Sequence, residues 1–162
     1  MDTTPRAGTT TFAMPSQREL EMTRVFDAPR ALVFDALTSP EHVPHWMLGP
    51  EGWTMPSCET DLRPGGAWHF AWRHSDGTEM EMHGTYQEVV PPERLVSTES
   101  WGGDWPDTVN TLVLSEDDGK TTMIATILYP SQEARDAALD TGMKDGASLS
   151  YDRLDERLRT IA

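Results

Sequence analysis

The sequence has a single cysteine and lacks any long apolar run. With Cys58 alone, an internal disulfide is excluded, which is typical of a protein kept in a reducing compartment. No stretch approaches the roughly 20 apolar residues that span a bilayer, and the N-terminus lacks the apolar core of a secretory signal. We therefore expect a cytoplasmic protein that does not insert into a membrane.

Basic residues are also scarce. Lysine and arginine together number 13 against 27 aspartates and glutamates, which gives a formal net charge of -14 at pH 7. Such a surface repels phosphate backbones and anionic lipid headgroups, so we expect no nucleic-acid partner and no membrane-surface partner. The length of 162 residues suits one domain with its own hydrophobic core.

Tryptophan and methionine are abundant and recur at alternate positions. The chain has six tryptophans and nine methionines. Trp68, Phe70 and Trp72 alternate in one segment, and Met80 and Met82 alternate in the next. Because successive side chains on a strand point to opposite faces, both segments are predicted to be strands with one apolar face. Such a face can pack as a solid core or leave a cavity for an apolar ligand, since methionine adapts to irregular shapes.

The order of the remaining patterns predicts an α+β fold. Residues 1–17 are rich in Thr, Pro and Gly and are predicted to be flexible, ahead of a single domain over 18–162. A first strand is predicted from Arg18 to Phe26, followed by two short helices, the second limited by Pro44. Further strands are predicted at 53–62, 67–74, 78–89, 94–101, 108–116 and 121–129. Their short, turn-rich connections favour an antiparallel meander.

Helical periodicity follows Pro130. Ser131 is expected to cap a helix that runs to about Met143, with Gly142 and Gly146 marking a bend. The closing segment has an apolar stripe at spacings of three and four, formed by Ala147, Tyr151, Leu154, Leu158 and Ile161. A long terminal helix after an antiparallel sheet should place this stripe against the aromatic face of the sheet.

Glu99 is the first candidate for chemistry, because alternation with Leu95 and Trp101 places it on the inner face. A carboxylate among aromatic rings has a raised pKa and can bind a polar group or act as an acid or base. The alternative is a residue at the rim, paired with an arginine or solvated. Tyr129, in phase with Met123, can anchor a ligand oxygen or hydrogen-bond the terminal helix.

Other polar residues are predicted to be solvent-exposed or to have a packing role. Four of them alternate opposite the apolar side chains and should face water: His69, Arg73, Glu81 and His83. His42 and His45 lack further ligands nearby and are predicted to be surface histidines, so no metal site is expected. Cys58 has no neighbouring base and is interpreted as a buried thiol. We expect no cofactor.

Several local strings, taken in order, resemble one family. They are Thr-Arg-Val-Phe-Asp-Ala-Pro-Arg (23–30), Gly-Pro-Glu-Gly-Trp (49–53), Asp-Leu-Arg-Pro-Gly-Gly (61–66) and Pro-Pro-Glu-Arg-Leu (91–95). From about residue 19 to 160 the chain resembles bacterial homologues of the activator of heat shock protein 90 ATPase, within the START-like (SRPBCC) superfamily. The resemblance implies a helix-grip fold, in which a curved antiparallel sheet wraps around a long C-terminal helix.

The resemblance also implies a function, because members of this superfamily typically hold an apolar small molecule between sheet and helix. The residues predicted to bind such a hydrophobic or aromatic molecule are Trp46, Met47, Trp53, Trp68, Phe70, Trp72, Met80, Met82, Glu99, Trp101, Met123, Tyr129, Met143, Ala147 and Tyr151. A cyclase- or dehydratase-like enzyme, with Glu99 and Tyr129 as candidate catalytic groups, is an alternative. A chaperone-associated protein, as the family name suggests, is a third. The sequence neither requires nor excludes a homodimer.

Overall fold

Eight strands form one antiparallel sheet in the computed structural model, which describes residues 8–161. The strands are β1 (Thr11–Ala13), β2 (Glu19–Phe26), β3 (Trp53–Thr60), β4 (Ala67–His74), β5 (Glu79–Val90), β6 (Arg94–Glu99), β7 (Thr108–Asp117) and β8 (Lys120–Leu128). Their order across the sheet is β1-β2-β8-β7-β6-β5-β4-β3. The run from β3 to β8 is the predicted meander, and β2 completes it by pairing with β8.

Four helices accompany the sheet in the described part of the chain: α1 (Arg30–Thr38), α2 (Val43–Trp46), α3 (Gln132–Leu139) and α4 (Met143–Ile161). The hydroxyl of Ser131 accepts a hydrogen bond from the backbone N–H of Ala134 at 3.1 Å, which confirms the predicted cap. Pro44 stands in the first turn of α2, where its missing N–H is tolerated. The second helix is accordingly short, as predicted.

The N-terminal segment differs from its prediction. Thr11–Ala13 lies within the stretch predicted to be flexible, yet it forms β1 and pairs with β2. The backbone of β2 would otherwise present an unpaired edge, and three residues of extended chain are enough to cover part of it. Residues 1–7 of that stretch lie outside the described residues.

The helical region also differs from its prediction. The helix expected to reach Met143 ends at Leu139, and the chain turns through Gly142 at a φ of 83° before α4 begins. Glycine suits this position because its backbone tolerates a positive φ. Gly146 was expected to mark a bend but lies inside α4, where it is buried against Pro50.

The core lies between the inner face of the sheet and the helices. Trp68, Phe70 and Trp72 are buried in one cluster with Leu154 and Leu158 of α4. The aromatic stripe of the sheet therefore faces the apolar stripe of the terminal helix, which confirms the predicted α+β helix-grip arrangement. Burying large aromatic and aliphatic side chains in this way contributes roughly 1.5–3 kcal/mol for each one.

A buried arginine joins the sheet to α4. Arg24 lies on the inner face of β2 and is 1% exposed. Its Nη1 donates hydrogen bonds to Asp152 at 2.8 Å and to Thr10 at 2.9 Å, and its Nη2 donates to Asp155. A guanidinium taken out of water in this way requires such partners, because an uncompensated buried charge is strongly destabilising.

The two aspartates that hold Arg24 should contribute unequally to stability. The side chain of Asp155 is 14% exposed, whereas that of Asp152 is 55% exposed and well screened. We expect Asp155→Ala to lower the free energy of unfolding by about 3 kcal/mol, because it leaves a buried cation short of a partner. The matched change Asp152→Ala should cost at most about 1 kcal/mol. Urea denaturation measures both, and equal losses would contradict this account of the contact.

Candidate ligand-binding site

The carboxyl group of Glu99 lies on the inner face at the end of β6, as predicted. One of its oxygens accepts a hydrogen bond from the indole N–H of Trp101 at 2.6 Å. The other accepts from the side-chain amide of Asn110, on the neighbouring strand β7. Burial raises the pKa of Glu99, and these two hydrogen bonds to the ionised form oppose that rise. Glu99 is thus an interior acid held by neutral donors.

Asn110 is oriented for this contact by Thr108. The buried hydroxyl of Thr108 donates to the amide oxygen of Asn110 at 3.3 Å, so the amide nitrogen faces Glu99. Both residues lie on the same face of β7, two positions apart, and Thr108 is the cross-strand partner of Glu99. The local fold therefore fixes the direction of the amide dipole toward the carboxylate.

Two phenols lie close enough to Glu99 to respond to its charge. The pKa of Tyr129 is raised to about 12, chiefly by burial and further by the negative charge of Glu99. The pKa of Tyr151 is also raised to about 12 by burial and Glu99, with Arg24 acting in the opposite direction. The hydroxyl of Tyr129 donates to the sulfur of Met143 at 3.6 Å. This contact is the predicted alternative for Tyr129, a hydrogen bond to the terminal helix.

Aromatic rings wall this polar cluster. Trp101 stacks on Trp72 with ring centroids 5.5 Å apart and an interplanar angle of 16°. Tyr151 stacks on Trp46 at 6.0 Å and meets Phe26 edge-on at 6.3 Å. The arrangement is a set of flat apolar faces around one carboxyl and two hydroxyl groups.

The predicted residues differ in burial. Nine of them belong to or pack against one core cluster: Trp46, Met47, Trp53, Trp68, Phe70, Trp72, Met82, Met123 and Tyr151. Tyr129 is also buried. Met80 lies on the inner face opposite Trp72, as its alternation with Met82 predicts, but it is 40% exposed. It is the second residue of β5. Trp101 is 38% exposed because β6 ends at Glu99, two residues earlier than predicted. Met143 and Ala147 are half-buried on α4.

Two clefts of residues 8–161 are lined by residues outside the predicted set. One, of about 220 Å³, lies beside Gly8, Asp27, Asp155, Leu158 and Arg159. The other, of about 290 Å³, lies at the end of the β3–β4 pair, beside Gly52, Thr54, Arg73, His74, Ser75 and Gly77. In this conformation the inner residues pack on each other, so a ligand between sheet and helix requires side chains to move.

Several polar residues take positions that bear on the sequence predictions. His42 is buried, not at the surface, because its Nδ1 faces the guanidinium of Arg157 at 3.2 Å and its Nε2 faces Asp35 at 3.3 Å. His83 and Arg73 are exposed, as predicted. Cys58 is half-buried, and burial raises the pKa of its thiol to about 11, which keeps it protonated and unreactive at neutral pH.

Sequence reasoning missed three residues of this interior. Arg24 occupies the same alternating face as Leu20, Met22 and Phe26, and a charged residue in that phase is the signal that could have found it. Asn110 and Thr108 interrupt a strand that is otherwise rich in Val and Leu. Asparagine is depleted in strands, so its presence at an inner position indicates a specific hydrogen bond.

The raised phenol pKa values predict the alkaline behaviour of the protein. Tyr86, Tyr129 and Tyr151 are all the tyrosines of the chain, and each has a pKa of about 12 against an ordinary value near 10. In the unfolded chain the phenols ionise first, so stability should fall as the pH rises from about 10 to about 12. Phenolate absorbance followed together with circular dichroism measures this. A tyrosine that ionises near pH 10 in the folded protein would contradict the assignment.

Comparison with known proteins identifies the family. A sequence profile described as "Activator of Hsp90 ATPase homolog 1-like protein" matches residues 27–159. A solved structure from Rhodobacter sphaeroides is 28% identical, with a TM-score of 0.88 over 95% of this chain and 100% of that chain. No curated protein matches the sequence.

More distant structures share the fold. A protein from Nitrosomonas europaea is 24% identical, with a TM-score of 0.81 over 91% of this chain and 97% of that chain. An AHSA1-like protein from Aeromonas hydrophila is 16% identical, with a TM-score of 0.69 over 85% of this chain and 93% of that chain. Since the profile covers most of the chain, the protein belongs to the activator of Hsp90 ATPase homolog 1-like family.

Proposed function

We propose that this protein binds a small hydrophobic or aromatic molecule between the inner face of the sheet and α4. The observation that carries the proposal is the convergence of Glu99, Tyr129 and Tyr151 in an interior otherwise walled by aromatic rings. A few polar groups in an apolar enclosure orient a bound molecule, while the rings supply most of the contact area.

Within the described residues, the buried indole of Trp68 adds an unpaired hydrogen-bond donor to the same wall. It is buried in the core, and its indole N–H has no acceptor within residues 8–161. Leaving a buried donor unpaired costs about 1–3 kcal/mol. An acceptor atom on a bound molecule would remove that cost.

Space for the molecule is proposed to come from side chains that adapt. Met47 and Met143 are partly buried beside the aromatic wall, and methionine changes shape at little cost. Trp101 closes over Trp72 from a loop that continues through Gly102 and Gly103, both at positive φ. Movement of this tryptophan would expose the cluster around Glu99.

Binding fits the contacts better than catalysis does. The raised pKa of Glu99 would suit a general acid. However, the side chains that hydrogen-bond it, Trp101 and Asn110, are neither bases nor nucleophiles. They can position a ligand, but they cannot relay a proton.

Filling the interior from the sheet tests the proposal. Ala125 lies on the inner face of β8 opposite Leu112, whereas its neighbour Thr126 points to the outer face. We expect Ala125→Trp to abolish most binding of the neutral dye Nile red, because the new indole occupies the ligand space. Thr126→Trp should bind the dye as the wild type does. Dye fluorescence measures binding, and circular dichroism checks the fold of both variants.

Native mass spectrometry of protein purified from cells provides the second readout. A stoichiometric hydrophobic adduct is expected on the wild type and on Thr126→Trp, but not on Ala125→Trp. Equal dye binding by the two variants would contradict the proposed location. Absence of both adduct and dye binding in the wild type would contradict the function.

A further inference from the structure

Glu99 lacks a counter-ion. Both of its oxygens accept hydrogen bonds, but the donors are the neutral side chains of Trp101 and Asn110. None of the ion pairs of residues 8–161 involves Glu99. A carboxyl group in a protein interior needs a nearby cation to stay ionised at low cost. The described residues do not supply one, so the ionised form of Glu99 is uncompensated and burial raises its pKa.

The buried cation of the same interior, Arg24, already forms ion pairs with other residues. Arg24 lies against Asp152 and Asp155, so its charge is matched by carboxylates of α4. Glu99 raises the pKa of Tyr151 and Arg24 lowers it, so both charges lie within electrostatic range of this phenol. The interior thus contains one compensated arginine and one uncompensated acid.

The geometry around Glu99 leaves capacity for a further donor. A carboxylate offers about four acceptor positions, and two are occupied. The stacked pair Trp72 and Trp101 and the stacked pair Trp46 and Tyr151 present flat π-systems beside it. Aromatic faces of this kind attract both rings and cations.

Given the proposed function, we propose that the bound molecule is a hydrophobic amine that carries an aromatic ring, with its protonated nitrogen against Glu99. The ammonium supplies the missing positive charge and donates to the free acceptor positions of the carboxylate. The ring lies between the aromatic walls. An alcohol of the same shape leaves the acid uncompensated, and a carboxylate of the same shape is repelled by it.

Three probes that share one ring distinguish these cases: naphthylethylamine, naphthylethanol and naphthylacetate. Isothermal titration calorimetry at neutral pH with the full-length protein gives their dissociation constants. We expect the amine to bind at least about tenfold more tightly than the alcohol, since a hydrogen bond to a charged group is worth more than a neutral one. The carboxylate should bind weakest of the three.

A matched pair of variants assigns the preference to Glu99. Glu99→Gln keeps the shape and one acceptor but removes the charge, so the ratio of amine to alcohol affinity should fall to about one. Glu81→Gln removes a carboxylate that is exposed on the outer face, and it should keep the wild-type ratio. The wild-type comparison stands whether or not Glu99→Gln folds.

The outcomes distinguish a failure of this inference from a failure of the proposed function on which it rests. Alcohol binding as tight as amine binding, or an amine preference that persists in Glu99→Gln, would overturn the assignment of a cationic ligand while leaving the binding site intact. If none of the three probes binds the folded wild type while Nile red does, the inference of an amine ligand fails and the proposed function stands. If neither the probes nor Nile red bind and no adduct is found, the proposed function fails as well.

Discussion

The contact between Arg24 and the two aspartates of α4 determines how the helix lies on the sheet. A guanidinium that is 1% exposed cannot lose its less exposed partner, Asp155, without a large electrostatic cost, so this contact ties α4 to β2. Tyr151 precedes Asp152 on the helix and is therefore placed by the same contact. Its ring stacks on Trp46, and its phenol lies within range of Glu99. A structural ion pair thus positions one side of the candidate site.

The interior is asymmetric in charge, and the proposals depend on that asymmetry. On the β2 side, the charge of Arg24 is matched by carboxylates from the helix. On the β6 side, Glu99 has only the neutral donors Trp101 and Asn110. Arg24 and Glu99 both lie on the inner face of one sheet, yet in the described part of the chain only Arg24 is paired with groups of opposite charge. A protein with a formal net charge of -14 further favours positively charged molecules over anionic ones in its surroundings.

Alternation of side chains was enough to predict the sheet, its inner face and the opposition of Trp72 to the terminal helix. It failed where the environment of a residue depends on residues that are distant in the sequence. Met80 is in the apolar phase but lies at the exposed start of β5, and His42 is buried because Arg157, far along the sequence, covers it. Asn110 could not be connected with Glu99 before the register of β6 and β7 was known. Apolar patterns are local, whereas hydrogen-bonded polar clusters are assembled from several elements.

Methyl NMR of the methionines during titration with naphthylethylamine tests the central claim most directly, because these residues report on the interior and on the surface in one experiment. The account predicts that the methyl signals of Met47 and Met143, beside the aromatic wall, shift with saturation at one equivalent. That of Met14, which is exposed, should stay in place. A shift confined to Met14, or no saturable shift at all, would contradict the claim that the ligand binds between the sheet and the terminal helix.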